Sequence, residues 1–469
     1  MKHLGLIGVI TLTSCTLLTN CKLGPDYKRP TVPTPPAFRN GEATPTAASL
    51  ADTKWFDLFQ DDVLKQLVET ALAQNHDLKI AAERVLQARA QIGVSQAQLY
   101  PQVDFNASEN LVINSSIGAN RVNVPGVKFS SSYVQVGFLL SWELDLFGRV
   151  RRLNEAARAQ FFATEEARRG VVTTLVADVS STYFSLRELD LELDIARKTR
   201  DIADNSLKLT TTRKNRGVAT GLDVHQSEQF LYTATGQIAS IERSLGQTEN
   251  ALSLLLGRDP GDISRGKALE DFKAPPEVPA GLPSSLLERR PDIRQAEQLL
   301  IAANAQIGVA RAAYFPQVSL SGLLGAQSRS LSNLFSGPAR LWNFIPNVTT
   351  PIFRAGSLRA ARQFTEAQQR EALENYSKSI QNAFREVSDS LIDYRKTAEQ
   401  RAQQELLVKA LYDTDRLSHL RYQGGLDSYL QVLDAQRNLF QGQLVLAQLK
   451  RAELISIVQL YRALGGGWQ

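Results

Sequence analysis

The sequence predicts a mainly α-helical chain with a small transmembrane β part, built twice from one plan. Three observations carry this. AQIGVSQAQLYPQV at Ala90 to Val103 returns as AQIGVARAAYFPQV at Ala305 to Val318, 215 positions later (305 − 90). Arg149 to Arg216 has no proline and only Gly170, and Ser357 to Gln423 has neither proline nor glycine; at 1.5 Å per residue each could extend about 100 Å as a helix. After each Pro-Gln-Val the polarity switches to a period of two, the mark of a strand.

The N-terminal run MKHLGLIGVITLTSCTLLTNC has a positive Lys2 and an apolar stretch from Leu4 to Leu12, which is a secretion signal too short for a stable transmembrane helix. Cleavage leaves a signal peptide of residues 1–20, or 1–14 if Cys15 is acylated. Cys15 follows a small residue, as lipoprotein processing requires, while Cys21 gives the more normal signal length. One of the two is the lipidation candidate. They are the only cysteines, so no disulfide joins distant elements of the exported body.

Residues 21–60 form an N-terminal extension, 61–257 the first repeat, 258–281 a linker and 282–469 the second repeat. Beyond the first block the offset becomes 208: Gly148 meets Gly356, Arg213 meets Arg421, Gly217 meets Gly425 and Gly257 meets Gly465. Copies this long make a fused pseudo-dimer, not a solenoid. In copy one a helix from about Leu64 to Gln98 stops before Tyr100-Pro101, because a residue preceding proline avoids the α region. Strands follow at about 102–114 and 132–146, then the long helix, a turn in RGVATGLDVHQ (Arg216 to Gln226), and a returning helix of about 35 residues. Copy two has strands at about 316–328 and 341–353 and its turn in QGGLDSYLQVLDAQ (Gln423 to Gln436).

In the strands Val103, Phe105, Ala107, Leu111 and Ile113 alternate with Gln102, Asp104, Asn106 and Ser108, and Trp342, Phe344 and Val348 alternate with Asn343, Asn347 and Thr349. Apolar-out, polar-in strands of about 10 residues suit an outer-membrane barrel; a soluble sheet packed on helices would alternate in the same way. The long helices weigh toward the barrel. Leu175, Val179, Thr182, Leu186, Leu189, Leu193 and Ala196 are spaced 4-3-4-3-4-3, as are Ile380, Phe384, Val387, Leu391 and Tyr394, a coiled-coil rule for helices that project as hairpins. Four strands cannot close a barrel, since the smallest have about eight. Several chains must share one, and a trimer would supply twelve strands.

Composition and chemistry exclude other classes. The net charge of +5 comes with both signs interleaved, and no basic block points to nucleic acid. His3, His76, His225 and His419 are scattered and form no zinc pattern, so no cofactor or metal is expected. The terminal LGGGW lacks the strand and helix context of a phosphate loop. An exported hydrolase would need a nucleophile, base and oxyanion donors, and a periplasmic scaffold would leave the alternating strands unexplained. The chain is not expected to be an enzyme.

Several motifs together are specific: LGPDYKRP (Leu23 to Pro30), WFDLFQDDVLKQLVETALAQNHDL (Trp55 to Leu78), the twin Gln-Ile-Gly-Val and Pro-Gln-Val blocks, ELDLFGRVR (Glu143 to Arg151), LPSSLLERRPDIRQAE (Leu282 to Glu297), GGLDSYLQVLDAQRNLF (Gly424 to Phe440) and the terminal ALGGGW. In these the chain resembles, over essentially its whole length, the TolC family of outer membrane efflux proteins, in the lipoprotein branch that serves resistance-nodulation-division pumps. The resemblance implies a homotrimeric, lipid-anchored duct in the outer membrane of a Gram-negative bacterium. Its β-barrel would continue as a periplasmic α-helical barrel, passing small molecules such as drugs from an inner-membrane pump and a periplasmic adaptor to the exterior. Drug, metal and protein export all stay open. The resemblance also implies an entrance gate. Asp434 matches a ring aspartate, and Gln431 stands where a second is expected. Tyr422 and Asp223 match positions that tie neighbouring hairpins, and Asp427 replaces an arginine of some members. Gly217, Gly424 and Gly425 would shape the hairpin tips that dock the adaptor, and Gln91, Gly93, Gln306 and Gly308 would let backbones approach near the helix-to-strand transition.

Overall fold

A computed structural model of the chain describes residues 22–33, 35, 37–39, 49–52, 59–113, 130–272, 279, 281 and 283–466. Cys15, Cys21 and the 114–129 connection lie outside the described residues. The principal elements are α1 (Asp62–Gln74), α2 (His76–Ala97), β1 (Gln102–Ile113), β2 (Ser130–Leu144), α3 (Arg149–Asn215), α4 (Gly221–Leu255), α5 (Pro291–Ala312), β3 (Gln317–Ser328), β4 (Arg340–Thr349), α6 (Ser357–Gln423) and α7 (Tyr429–Ala463). α3 and α6 each have 67 residues, about 100 Å of helix. Among the described residues no helix is long and apolar enough to cross a membrane.

The chain divides into two compact units. The first comprises Met1–Thr31, Val85–Thr164 and Ala296–Tyr376 and holds an antiparallel sheet in the order β1-β2-β3-β4. The register puts Phe105, Phe138, Leu324 and Trp342 in one cross-strand row, each more than half exposed. That is the inverse of a soluble sheet, which would bury such a row. β2 ends at Leu144 because Asp145 turns back to cap α3: its carboxylate accepts from the Val150 and Arg151 amides at 3.1 and 2.9 Å. β4 stops at Thr349, short of the expected 353, just before Pro351, which has no N–H for a ladder.

In the same unit the LGPDYKRP stretch is a strap. The Leu23 amide donates to the Phe147 carbonyl at 3.2 Å. Arg152, 1% exposed, donates to the carbonyls of Leu23 and Gly24 and pairs with Asp26 and Glu155. Tyr27 and Arg29 both donate to Glu297. A Cβ on Gly308 would lie 2.7 Å from the Leu23 carbonyl oxygen and 2.8 Å from Arg152 Cγ, whereas a Cβ on Gly93 would meet nothing within 4 Å. Within the chain, then, only the second copy of the shared block uses its glycine for close approach, because only that copy receives the strap.

The second unit comprises Val32–Arg84, Glu165–Gln295 and Ser377–Gln469. The single helix expected from Leu64 to Gln98 is two, α1 and α2, broken at Asn75 with ψ 132°. The buried Asn75 side chain explains the break. Its carbonyl oxygen accepts from the Leu78 amide, and its amide nitrogen donates to the Leu255 carbonyl at the end of α4. Copy two repeats the device with another residue: Arg290, at offset 215 from Asn75, donates to the Ala463 carbonyl at the end of α7. Two apolar cores form, one mainly of the first repeat but completed by Leu454 and Val458 of α7, the other of the second repeat with Phe38 and Leu50 of the N-terminal extension. One gathers Leu64, Val68, Val179, Phe184, Leu186 and Leu252, the other Leu286, Val387, Leu391, Ile457 and Leu460. The heptad positions Val179 and Val387 are fully buried, as the spacing requires. α3 buries more than a coiled-coil stripe, since Tyr183, Phe184, Glu188 and Glu192 are buried as well.

Candidate functional site

The second unit carries both helical hairpin turns. α3 ends at Asn215, and Gly217, with φ +71°, reverses the chain while the Val218 amide reaches back to the Arg213 carbonyl at 2.8 Å. α6 ends in the same way, with Gly425 at φ +72° and the Leu426 amide on the Arg421 carbonyl at 2.9 Å. This 6→1 bond satisfies a carbonyl that the helix end would otherwise leave bare, and the left-handed residue it needs is cheap only for glycine. Gly424 takes no left-handed conformation; its amide donates to the Leu420 carbonyl. The turns leave Val218, Leu222, Leu426 and Leu430 exposed at 65%, 66%, 71% and 49%. At offset 208 these are two equivalent pairs, so each tip presents the same two-residue apolar patch.

Behind the turns the structure brings together residues that the sequence reading kept apart. Tyr422 is buried with Phe230, Tyr429, Val432 and Leu433. The Arg213 guanidinium lies 4.5 Å over the Tyr422 ring, and Tyr429 packs 5.5 Å away. Burial raises the Tyr422 hydroxyl above its ordinary range, with Arg213 opposing and Asp223 and Tyr429 reinforcing. This clasp joins α3 to α6 within one chain through a cation–π contact.

Asp223 is turned back onto its own helix. Its carboxylate accepts from the Thr220 amide at 2.8 Å while the Thr220 hydroxyl oxygen accepts from the Asp223 amide at 3.3 Å, a capping box at the start of α4. Asp427 is closed by Arg421 at 2.5 Å, which holds its carboxyl below the usual range. Asp434 and Gln431 are exposed on α7, and Asp434 accepts from Asn438 at 3.1 Å. On this helix Arg437 donates to Gln229 of α4, its equivalent at offset 208. His225 pairs with Glu228 on the same helix. Among the described residues no group of three or more potential ligands could hold a metal ion. Sequence reasoning missed Arg213, Arg421 and Tyr429. The repeat pairs the two arginines at offset 208, but the different partners they take lie far along the chain or within one turn.

The profile of the outer membrane efflux protein family matches residues 67–258 and 282–466. The chain belongs to that family. It is 40% identical over 466 residues to the solvent efflux pump outer membrane protein SrpC of Pseudomonas putida, covering 96% of each chain. It is 37% identical over 456 residues to the cation efflux system protein CusC of Escherichia coli O6:H1, covering 96% of this chain and 97% of CusC. Among solved structures it resembles the open state of the Neisseria gonorrhoeae outer membrane channel MtrE, with a TM-score of 0.84, 30% identity and coverage of 96% and 99%. The chain is thus an outer-membrane efflux channel of a Gram-negative bacterium with the TolC-like fold, a helical part joined to a β part, and it works as the outer component of a pump system.

Proposed function

We propose that three copies of this chain close one barrel and form the passive exit duct of a tripartite pump. One observation carries the reading: a four-stranded sheet with a greasy exposed face and two edges, on β1 and β4, that the described residues leave open. In hydrocarbon an unpaired edge is costly, and closure removes it. Each edge finds its complement in a neighbouring copy, and three fours make a twelve-stranded wall.

The same reading gives each hairpin tip a partner. Val218 with Leu222, and Leu426 with Leu430, are the patches against which a periplasmic adaptor docks, and the adaptor connects the duct to an inner-membrane resistance-nodulation-division pump. A lipid anchor on Cys15 or Cys21 would precede the strap, whose Leu23 is tied to Phe147 just past the end of β2. The duct carries small molecules released by the pump. SrpC and CusC are named for solvent and for cation, yet stand at nearly equal identity to this chain, so the cargo is set by the pump. At the entrance, Asp434 from three chains converges and favours cations, as a ring of like charges in a narrow, low-dielectric passage does. Tyr422 and Asp223 tie neighbouring hairpins around it at rest, and Asp427, standing where some family members carry an arginine, does not reproduce the latch of those members.

Planar-bilayer recording of the purified protein tests the proposal. Wild type should migrate as a heat-modifiable trimer and conduct with cation preference, and Asp434→Ala should lower that preference and any block by multivalent cations. Absence of conductance would refute the duct; unchanged selectivity would remove the gate from Asp434 and leave the duct standing.

A further inference from the structure

α3, α4, α6 and α7 surround a cavity of about 400 Å³ within the second unit. Its walls are largely apolar, with Leu191, Ile195, Ile202, Phe230, Val408 and Phe440 among them. Five charged residues also line it, and four of them cancel: Lys198 pairs with Asp194 at 2.6 Å, and Lys450 with Glu270 at 3.0 Å. Asp415 is left over. Its Oδ1 is buried without a hydrogen-bond partner, and the nearest cation-capable group is His419, whose Nε2 lies 3.6 Å away. That nitrogen also lies 2.9 Å from the Gln436 amide nitrogen, and in the tautomer protonated on Nδ1 it accepts from that amide. In that tautomer it has no proton to offer the carboxylate. Gln436 is 5% exposed, lines the same cavity and has its Oε1 unpartnered as well.

We propose that this cavity binds an amphipathic organic cation, whose N–H groups donate to Asp415 Oδ1 and Gln436 Oε1 while its apolar body packs on Ile195, Ile202, Phe230 and Phe440. The volume falls in the range of small-molecule sites, and a largely apolar wall with a few convergent polar groups is their usual composition. Charge selects the ligand. A neutral molecule without donors leaves two buried acceptors without hydrogen bonds, and an anion meets a buried carboxylate. Burial holds the Asp415 carboxyl above its ordinary range, with His419 opposing, so its ionised form is poorly solvated and gains from a cation. The site lies in the wall, apart from the gate residue Asp434, and a bound cation would bridge helices of both repeats.

The test is a fluorescence titration of the full-length protein in lipid nanodiscs with ethidium, a flat organic cation bearing N–H donors. Wild type should show one saturable site per chain. Asp415→Asn, which keeps the shape and removes the charge, should weaken binding about tenfold or more. Leu446→Trp, which fills the cavity without touching the carboxylate, should abolish it. A wild type without saturable binding, as when a neighbouring copy's helix fills the cavity, would overturn the proposal. So would either variant binding ethidium as wild type does.

Discussion

The two hairpin turns stand at equivalent positions, 208 residues apart (425 − 217), and share a backbone but not a chemistry. Gly217 and Gly425 adopt the same left-handed conformation, and Arg213 and Arg421 offer their carbonyls to the same reverse bond. Their side chains part company. Arg213 crosses to the Tyr422 ring of the other hairpin, while Arg421 closes on Asp427 in its own turn. Thr220 and Asp223 cap α4 reciprocally, while Ser428 makes no side-chain cap bond for α7. The divergence continues along the helices: Glu188 is buried against Arg451, and its counterpart Lys396 is 69% exposed. Duplication keeps what the backbone requires and releases what the neighbours decide. Placed in series, the two copies have different neighbours: α3 packs on α7 of its own chain through Glu188–Arg451 and Glu192–Gln448.

The largest test attacks what the turns share. Gly217→Val and Gly425→Val each force a β-branched residue into φ > 0, a cost of about 1–2 kcal/mol per position. Because a Cβ at either site would meet nothing within 4 Å, the strain is purely of the backbone. Each variant should lower resistance to pump substrates by an order of magnitude or more in a strain that depends on this channel, with trimer and surface levels normal. Loss from one variant and not the other would break the equivalence of the two tips in the proposed adaptor docking.

A smaller effect distinguishes position 188 from position 396. Burial raises the Glu188 carboxyl to about 7, with Arg451 opposing and Glu192 reinforcing. Between its ordinary value of 4.5 and about 7 the folded chain holds a proton that the unfolded chain has lost, so stability must fall as pH rises through that window. Glu188→Gln should flatten this slope and stabilise the protein at pH 8 by something on the order of 2 kcal/mol. Denaturant midpoints at pH 5 and pH 8 measure it. Lys396→Gln, on an exposed face, should leave the slope as it is; a slope unchanged by Glu188→Gln would place the buried titration elsewhere.

What the sequence made legible follows the same division. The duplication, the long helices, the strand alternation and the tip glycines all express backbone demands, and periodicity, proline and glycine report these locally. The break at Asn75 does not, because the carbonyl that holds its side chain belongs to Leu255, 180 positions on. Arg152 reads as one arginine in a charged run until the strap is seen to bury it. The family resemblance predicts that Tyr422 and Asp223 tie neighbouring hairpins, and within the chain Tyr422 is clasped by Arg213 and Asp223 caps α4. Asp415 and Gln436 gave no signal at all, since a carboxylate and an amide at helical spacing look like any solvated face. Long-range partners decide such side chains, and one sequence does not display them.

The smallest expected difference lies in the caps. Thr220 supplies an acceptor to the Asp223 amide and its own amide is held by the Asp223 carboxylate, so Thr220→Ala should cost the first turn of α4 about 1 kcal/mol. Ser428→Ala removes a hydroxyl that makes no cap bond, and should change α7 by no more than a few tenths. Hydrogen exchange at the first-turn amides reads both locally: about fivefold faster exchange at Asp223 and Val224, and little change at Gln431 and Val432. Gln431 occupies in α7 the place that Asp223 holds in α4. Gln431→Asp should therefore install the missing box, since a shorter carboxylate at that position can reach the Ser428 amide and a negative charge is favoured at a helix N-terminus. It should slow exchange across the first turn of α7 until it matches α4. Should exchange at Gln431→Asp stay at the wild-type rate, the difference between the turns would lie in the backbone approach to Ser428 and not in the residue three positions on.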